Sequence, residues 1–323
     1  MRLGLIGTGK HGSRYARHVR EDFPDLELVA IARGDPEKAD ETARQLGCRP
    51  YRDYHDLLAA ADVDAVIVVV PPTLHVEVVR AAARRRKPVL LEKPAAVSLA
   101  AARALLDAVH RDPIPVMVAQ TLRYNAVVQA VRAHREALGA VHSLSLSQRF
   151  ERSRLTWLDD PNLSGGGMAL HTGVHSFDLL RFLTGLEADA VSCQMARINT
   201  TRTEDSFAAT VCLGGGKVLA TVSGSRATGG RTGHVEIAGT DAVLVGDHVL
   251  NHAHLLVGTQ ARPIPVREPV ATVREVIRGF VHALRTGNPM PIPLEEGLRA
   301  AAIAHACYAS AQAGTLAPVE PLG

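Results

Sequence analysis

The segment Gly7-Thr8-Gly9-Lys10-His11-Gly12 has the GxGxxG spacing of a dinucleotide-binding turn. In such a turn the first glycine permits a tight bend, the second lets the backbone approach a pyrophosphate, and the third permits close helix–strand packing. The positive end of the following helix attracts the phosphates. The segment lies between a predicted strand and a predicted helix, as the motif requires. We therefore expect it to bind a dinucleotide, with a ligand-free glycine turn as the alternative.

Cofactor selectivity depends on the end of the second predicted strand, where an acid about 20 residues after the turn normally binds the adenosine ribose. This strand ends in Arg33. Asp35 precedes Pro36, so its carboxylate is better explained as the N-cap of the next helix. Because a guanidinium suits a 2′-phosphate, we expect NADP to be slightly preferred over NAD. A solvated Arg33 beside an NAD site is the alternative.

Two histidines and an aspartate, His171, His175 and Asp178, stand at positions i, i+4 and i+7 of a predicted helix and should share one face. The glycine run at 165–167 allows another backbone segment to approach closely. Histidines at this spacing also suggest zinc, but a catalytic zinc needs three protein ligands and the HExxH pattern is missing. We predict no metal site.

The elements that must position these residues alternate in type over the first third of the chain. The predicted strands are 3–7, 26–32, 63–70, 88–91 and 116–120, and the predicted helices are 12–20, 36–46, 74–86 and 98–110. Alternation of this kind, with right-handed crossovers, predicts a parallel sheet with helices on both faces. We expect an α/β doubly wound Rossmann domain over residues 1–120.

Beyond residue 120 the pattern changes to short alternating strands joined by glycine-containing turns. Strands are predicted at 141–150, 190–198, 207–213, 217–223, 234–238 and 242–245, and helices at 168–183, 272–286 and 294–313. We expect an α+β domain over residues 121–323 with a large, open, mostly antiparallel sheet. Such a sheet often leaves one face uncovered, and an apolar face formed by Val218, Ala220 and Val222 would need a partner. A homo-oligomer, a dimer or tetramer formed through this sheet, is predicted.

Composition excludes several classes of protein. The chain has 323 residues, of which 46% are hydrophobic and 21% charged, as expected for about two packed domains. The longest apolar run, residues 65–70, falls short of the ~18 residues of a membrane span, and the N-terminal segment lacks the pattern of a signal peptide. The net charge of +3 implies neither nucleic acid nor membrane as a partner. Four dispersed cysteines fit reduced thiols, so we expect a cytoplasmic protein with a small-molecule substrate.

In combination, several motifs resemble those of the Gfo/Idh/MocA oxidoreductase family, named for glucose–fructose oxidoreductase, inositol dehydrogenase and a rhizopine-catabolism protein. They are Gly7–Gly12, Tyr51-Arg52-Asp53-Tyr54, Asp64-Ala65-Val66, Pro71-Pro72-Thr73-Leu74-His75, Glu92-Lys93-Pro94 and Gly165-Gly166-Gly167 followed by Gly173-Val174-His175 and Asp178. The resemblance covers essentially the whole chain. It implies an NAD(P)-dependent dehydrogenase or reductase with an N-terminal Rossmann domain and a C-terminal open-sheet domain that often mediates oligomerisation. Family substrates are commonly sugars, cyclitols and related polyhydroxylated compounds.

The resemblance also implies the roles of individual residues. Hydride transfer at an alcohol carbon leaves a hydroxyl proton to be moved and needs a donor for the oxygen, and Lys93 and His175 match the family residues that do this. The residues implied at the cofactor are Pro71, Pro72, His75, Glu92 and Lys93.

The candidates for substrate contact are Lys93, Arg123, Tyr124, Trp157, His171, His175 and Asp178. For Arg123, Tyr124 and Trp157, buried packing is an equal alternative. His171 departs from the family, since many members carry an aspartate four residues before the catalytic histidine. The missing carboxylate leaves the substrate and the proton route open.

The function expected from all of this is interconversion of a secondary alcohol and a ketone on a sugar, cyclitol or related polyhydroxylated molecule. One alternative is a dinucleotide-sensing regulator without turnover, although such a protein has no need of Lys93 and His175. The other alternative is an NAD-dependent glycosidase of the same family, which would release a sugar without net reduction of the cofactor.

Overall fold

The computed structural model describes residues 1–153 and 155–322, and these form two compact units. The first unit comprises Met1–Gln120 together with Ala271–Leu298, and the second comprises Thr121–Val270 and the chain that follows Leu298. This division differs from the predicted domains 1–120 and 121–323. Residues 271–298 belong to the first unit because their helix packs on the first helix of the chain, a contact between segments far apart in sequence.

The first unit contains a parallel sheet with helices between its strands. The strands are β1 (Arg2–Ile6), β2 (Glu27–Ala32), β3 (Arg49–Tyr51), β4 (Ala65–Val68), β5 (Val89–Leu91) and β6 (Val116–Val118). The helices are α1 (Gly12–Asp22), α2 (Pro36–Leu46), α3 (Tyr54–Ala59), α4 (His75–Arg84) and α5 (Leu99–Arg111), with α9 (Thr272–Thr286) from the later segment. The strand order is β3-β2-β1-β4-β5-β6, which confirms the doubly wound fold.

Burial explains why the strands of this unit were easy to predict. All four residues of β4 are buried, as are all of β1 after Arg2, because both faces of the sheet are covered. The short elements β3 and α3 were not predicted, since three residues of strand and six of helix give too little periodicity to detect.

The second unit contains a mixed sheet with short helices. Its strands are β7 (Val141–Glu151), β8 (Ala188–Ala196), β9 (Ser206–Leu213), β10 (Val218–Thr228), β11 (Thr232–Gly239), β12 (Val243–Asp247), β13 (His252–Val257), β14 (Gln260–Pro263) and β15 (Ala317–Pro318). Its helices are α6 (Ala126–Ala133), α7 (Pro161–Ser164) and α8 (Val174–Thr184), and α10 (Leu294–Ala313) belongs to it from Arg299 onward. The order is β14-β13-β12-β11-β7-β10-β9-β8-β15. Neighbours pair antiparallel except β7 and β10, which are parallel, so the predicted mostly antiparallel sheet is confirmed.

One detail of this sheet was predicted wrongly. Val218, Ala220 and Val222 are buried, with at most 2% of their surface exposed, and do not form an open face. The helical turn Ala169–Gly173, which comes directly before α8, and α8 itself pack on β10 within the same unit. The outward face of β10 instead carries Leu219, which is 59% exposed, and Thr221. Alternation identifies the apolar face of a strand, but it does not tell whether a second copy or the chain's own helices cover that face.

Among the described residues, no helix has the combination of length and apolar character that crossing a membrane would require.

Candidate active site

The glycine-rich turn follows β1 and leads into α1, and its three glycines differ in the space around them. Gly7 has a φ of 95°, and a Cβ there would collide with the carbonyl oxygen of Val69. A Cβ at Gly12 would collide with the carbonyl oxygen of Gly7, so the helix starts in close contact with the turn. At Gly9, in contrast, a Cβ would meet nothing within 4 Å. The exposed backbone at Gly9, beside a helix N-terminus, fits the phosphates of a dinucleotide.

The predicted cofactor residues all lie at one edge of the parallel sheet. Gly7 follows β1, Arg33 follows β2, Pro71 comes shortly after β4, and Glu92 follows β5. These four strands are neighbours in the order β2-β1-β4-β5 and run in the same direction. In open α/β sheets this carboxyl edge is where ligands bind. The arrangement therefore fits a bound nicotinamide dinucleotide.

Glu92 is a buried carboxylate with three donors or cations around it. Tyr15 Oη donates to Glu92 Oε2 at 2.5 Å, and His11 Nε2 lies 3.2 Å from Glu92 Oε1. Burial alone would raise the pKa of this carboxyl group, but His11, Lys93 and Tyr15 outweigh burial and lower it to about 2. Glu92 is thus an anion at neutral pH, and its contacts with His11 and with Tyr15 of α1 fix it directly before Lys93. Tyr15 was not among the predicted site residues, since a tyrosine on a helix carries no motif of its own.

Lys93 is half-buried directly after this carboxylate. Burial lowers the pKa of its ammonium group, and the negative charge of Glu92 opposes the change. A lysine whose pKa is lowered by burial gives up its proton more readily than an exposed lysine does.

Pro71, Pro72 and His75 form the start of α4 next to these residues. Pro72 begins a short 3₁₀ turn, Pro72–Leu74, and His75 is the first residue of α4. The His75 ring is buried, with Nδ1 3.2 Å from the carbonyl oxygen of Ala95. Its Nε2 has no hydrogen-bond partner among the residues that the structure describes. Since a buried imidazole nitrogen normally has a partner, this atom is a candidate for contact with a bound group.

Arg33 and Asp35 take the positions that the sequence predicted for them. The side chain of Asp35 accepts a hydrogen bond from Lys38 N at 3.2 Å and so caps α2, which confirms the N-cap prediction. Arg33 is half-buried, and its Nη1 lies 3.3 Å from Thr8 Oγ1 and 3.4 Å from Thr8 O. The guanidinium therefore lies beside the glycine-rich turn.

In the second unit, the histidine-bearing segment begins differently from the prediction. The predicted helix from Met168 is present, but its first turn, Ala169–Gly173, is π-helical, and the regular α8 starts only at Val174. Turns of this kind occur frequently at functional sites. His171 lies in the π turn, where its Nε2 is 2.9 Å from the carbonyl oxygen of Ser164. His175 is the second residue of α8 and is half-buried.

The remaining substrate candidates have different surroundings. Asp178 is 1% exposed and accepts two hydrogen bonds from Arg123, at 2.8 Å from Nε and 2.6 Å from Nη2. Trp157 packs its ring edge on His171, with 5.5 Å between centroids. Tyr124 is half-buried at the end of the short turn Thr121–Tyr124. Arg123 and Asp178 thus form a buried bidentate ion pair, an interaction that the sequence, with the two residues 55 positions apart, did not reveal.

A second buried network supports the backbone before the π turn. Tyr308 Oη accepts from Gly167 N at 2.9 Å and donates to Glu204 Oε1 at 2.7 Å. The same Glu204 oxygen accepts from Ala169 N at 2.9 Å. A Cβ at Gly167 would collide with the backbone oxygen of Glu204, and one at Gly166 with the phenol of Tyr308. The segments that approach the glycine run closely are therefore Glu204 and Tyr308 of this chain.

Within residues 1–153 and 155–322, no group of three or more histidine, cysteine, aspartate or glutamate side chains is placed to hold a metal ion.

Two family comparisons together span most of the chain. Residues 1–120 match the Gfo/Idh/MocA oxidoreductase family in its NAD-binding Rossmann fold, and residues 134–320 match the C-terminal alpha/beta domain of the same family.

Individual relatives agree with this. Over 187 residues, 58% of each chain, the sequence is 31% identical to the rhizopine catabolism protein MocA of Rhizobium meliloti. It is 26% identical to inositol 2-dehydrogenase of Rhizobium meliloti (strain 1021), with 96% of each chain covered. Among solved structures, levoglucosan dehydrogenase in complex with NADH and L-sorbose has the same fold, with a TM-score of 0.90 at 22% identity over 99% of both chains.

Proposed function

The chain belongs to the Gfo/Idh/MocA oxidoreductase family, and we propose that it interconverts a secondary alcohol and a ketone on a sugar, cyclitol or related polyhydroxylated molecule. The observation that carries this proposal is Lys93, half-buried beside the ionised Glu92 at the carboxyl edge of the NAD-binding sheet. The inositol 2-dehydrogenase relative supports the substrate class, since it matches the chain over nearly its whole length.

In the proposed reaction the protein residues bind, orient and move a proton. When bound, the nicotinamide accepts or donates the hydride. Lys93 donates a hydrogen bond to the reacting oxygen and stabilises the charge that develops there. His175 acts with Lys93 to take up the hydroxyl proton during oxidation and to return it during reduction. During reduction, the ionised Glu92 favours the protonated form of Lys93, which donates to the oxygen; during oxidation, the hydroxyl proton passes to the neutral His175 or to neutral Lys93.

The cofactor choice follows from Arg33. We propose that NADP(H) binds more tightly than NAD(H), because the guanidinium lies beside Thr8 of the glycine-rich turn while Asp35 is engaged in capping α2. A 2′-phosphate gains charge-assisted hydrogen bonds from such a group.

The activity is tested by turnover with a panel of neutral sugars and cyclitols in the presence of each cofactor, followed through the absorbance of reduced nicotinamide. The proposal expects that at least one polyol reduces the oxidised cofactor and that the corresponding ketone reoxidises the reduced cofactor. Cofactor binding without hydride transfer to any panel member would favour the dinucleotide-sensing regulator. Release of a sugar from a glycoside without net reduction would favour the glycosidase.

We further propose a homo-oligomer in the cytoplasm, formed by the outward face of the second sheet against a second copy. The exposed Leu219 lies on this face among small polar side chains such as Thr221 and Ser145, which hydrogen-bond at 3.1 Å. Sedimentation at micromolar concentration should give a dimer or tetramer, and Leu219→Lys should weaken it. A wild-type monomer would contradict the proposal.

A further inference from the structure

A cavity of about 690 Å³ lies within the second unit, and neither the motifs nor the proposed reaction assigns a role to it. Its walls come from Glu151 at the end of β7, from residues within 152–153 and 155–159, from the loop between β8 and β9, and from Arg226 on β10. A volume of this size suits a small molecule. Because charged side chains of both signs line it, their existing partners decide what the cavity can accept.

The carboxylates of the wall are already supplied with donors by the protein. Glu151 Oε2 accepts from Arg231 Nη2 at 2.8 Å. Asp159 accepts from three successive backbone N–H groups at 2.9–3.0 Å. Asp205 accepts from two more backbone N–H groups, at 2.6 and 2.9 Å. These carboxylates stabilise the walls of the cavity, and their oxygens already accept hydrogen bonds from the protein.

Arg226 is in the opposite situation. It is only 7% exposed, and over the described part of the chain its guanidinium makes one long hydrogen bond, from Nη2 to Thr203 Oγ1 at 3.4 Å. A guanidinium carries five N–H donors, and a buried cation is costly unless its donors are used. Burial lowers its pKa, which the carboxylates of Glu204 and Asp205 oppose, and the group stays charged at neutral pH. The cavity therefore presents a cation whose donors are largely unused.

The cavity also adjoins the histidine-bearing turn of the same unit. Thr156 and Leu158 line it, and between them Trp157 packs on His171. Hydroxyl groups of Ser153, Thr156 and Thr200 in the wall can pair with ligand hydroxyls, and Leu155 and Leu158 offer apolar surface. This mixture of partners fits a polyhydroxylated molecule that also carries a negative charge.

We propose that this cavity binds the carboxylate of an acidic sugar, held in a bidentate contact by Arg226. The planar guanidinium matches the two oxygens of a carboxylate in geometry and in charge. This inference rests on the proposed function for the sugar-like nature of the ligand.

The test is calorimetric titration of the whole chain, without cofactor, with D-glucuronate and with D-glucose as the neutral counterpart. Glucuronate should bind at least about tenfold more tightly than glucose, and Arg226→Gln should weaken it about ten- to a hundredfold. Arg262→Gln is the matched control, since Arg262 is exposed on β14 and should leave binding unchanged. Equal affinity for the two sugars, or unchanged glucuronate binding by Arg226→Gln, would overturn the assignment.

A second measurement on the wild type covers the case in which the variant does not fold. Arginine labelling by phenylglyoxal, mapped by mass spectrometry, should be slowed at Arg226 by glucuronate and not at Arg262. Equal labelling with and without glucuronate, or equal protection by inorganic phosphate, would overturn the sugar-acid assignment. Neither experiment involves turnover, so its failure leaves the proposed dehydrogenase to be judged by the neutral-polyol panel.

Discussion

Tyr15 donates a hydrogen bond of 2.5 Å to Glu92, and this contact ties the first helix to the residue immediately before Lys93. The helix that begins at the glycine-rich turn therefore also holds the carboxylate beside the proposed catalytic lysine. One buried pair thus connects the helix that follows the glycine-rich turn with the charge beside Lys93.

The first prediction concerns pH. The pKa of Glu92 is lowered from 4.5 to about 2, so its ionisation stabilises the fold above pH ~4.5 and this contribution is lost as the pH falls towards 2. The stability difference between wild type and Glu92→Gln should shrink by about 1 kcal/mol from about pH 5 to about pH 3.5. Urea denaturation at a series of pH values measures this. A difference that stays constant would contradict the lowered pKa.

The second prediction concerns catalysis. Lys93→Met should leave cofactor binding nearly intact and lower turnover by ~10²-fold or more, the scale expected for loss of a proton-transfer group. His175→Ala should behave similarly. His171→Ala should be milder, since His171 Nε2 is engaged with the backbone of Ser164. If Lys93→Met instead lost cofactor affinity with unchanged single-turnover hydride transfer, Lys93 would be a cofactor ligand.

The third prediction concerns cofactor choice. Arg33→Ala should reduce NADP(H) affinity about ten- to a hundredfold and leave NAD(H) affinity little changed. Only NADP(H) carries a 2′-phosphate, so only NADP(H) loses a charge-assisted hydrogen bond to the guanidinium. Arg33→Asp should go further, since its charge repels the phosphate. Calorimetric titration of both cofactors decides the matter. Equal binding of the two by the wild type would mean that Arg33 is only solvated or stacked.

The fourth prediction concerns the glycine run before the π turn. In Gly167→Ala the new Cβ would collide with the backbone of Glu204, so we expect a loss of about 2–4 kcal/mol in the free energy of unfolding and lower turnover. Gly230→Ala is the matched control, since a Cβ there meets nothing within 4 Å, and it should change stability by less than about 1 kcal/mol. Equal effects of the two substitutions would show that the Glu204–Tyr308 network does not constrain this turn.

The fifth prediction separates the two roles left open for Arg123. Arg123→Met should destabilise the fold by ~3–5 kcal/mol because it removes the bidentate ion pair of the buried Asp178. The double variant Arg123→Met with Asp178→Leu should recover much of that loss. Glu21→Gln, which breaks an exposed pair 3.9 Å apart, is the control and should cost less than about 0.5 kcal/mol. An Arg123→Met protein of normal stability with a raised KM would instead assign Arg123 to the substrate.

Much of the first unit was predictable because its signals are local. Gly7 and Gly12 are required by contacts within a few residues of the turn or with an adjacent strand, and Asp35 and Ser98 cap the helices that follow them directly. Continuous apolar runs marked strands covered on both faces. The edge of the sheet at which Arg33, Pro71 and Glu92 meet follows from the order of parallel strands, so this part of the candidate site could be located without coordinates.

The sequence by itself determined the family, the two fold types and the positions of Lys93 and His175, because motifs and periodicity are properties of neighbouring residues. Only the tertiary structure decided which residues support them. Tyr308 accepts a hydrogen bond from Gly167, 141 positions away, and Arg123 donates to Asp178, 55 positions away. No local sequence pattern predicts either contact. The tertiary structure also assigned residues 271–298 to the first unit and buried Val218, Ala220 and Val222. Burial and hydrogen bonding depend on the whole chain. Only the packed structure therefore shows which residues become partners and what covers each face of the sheet.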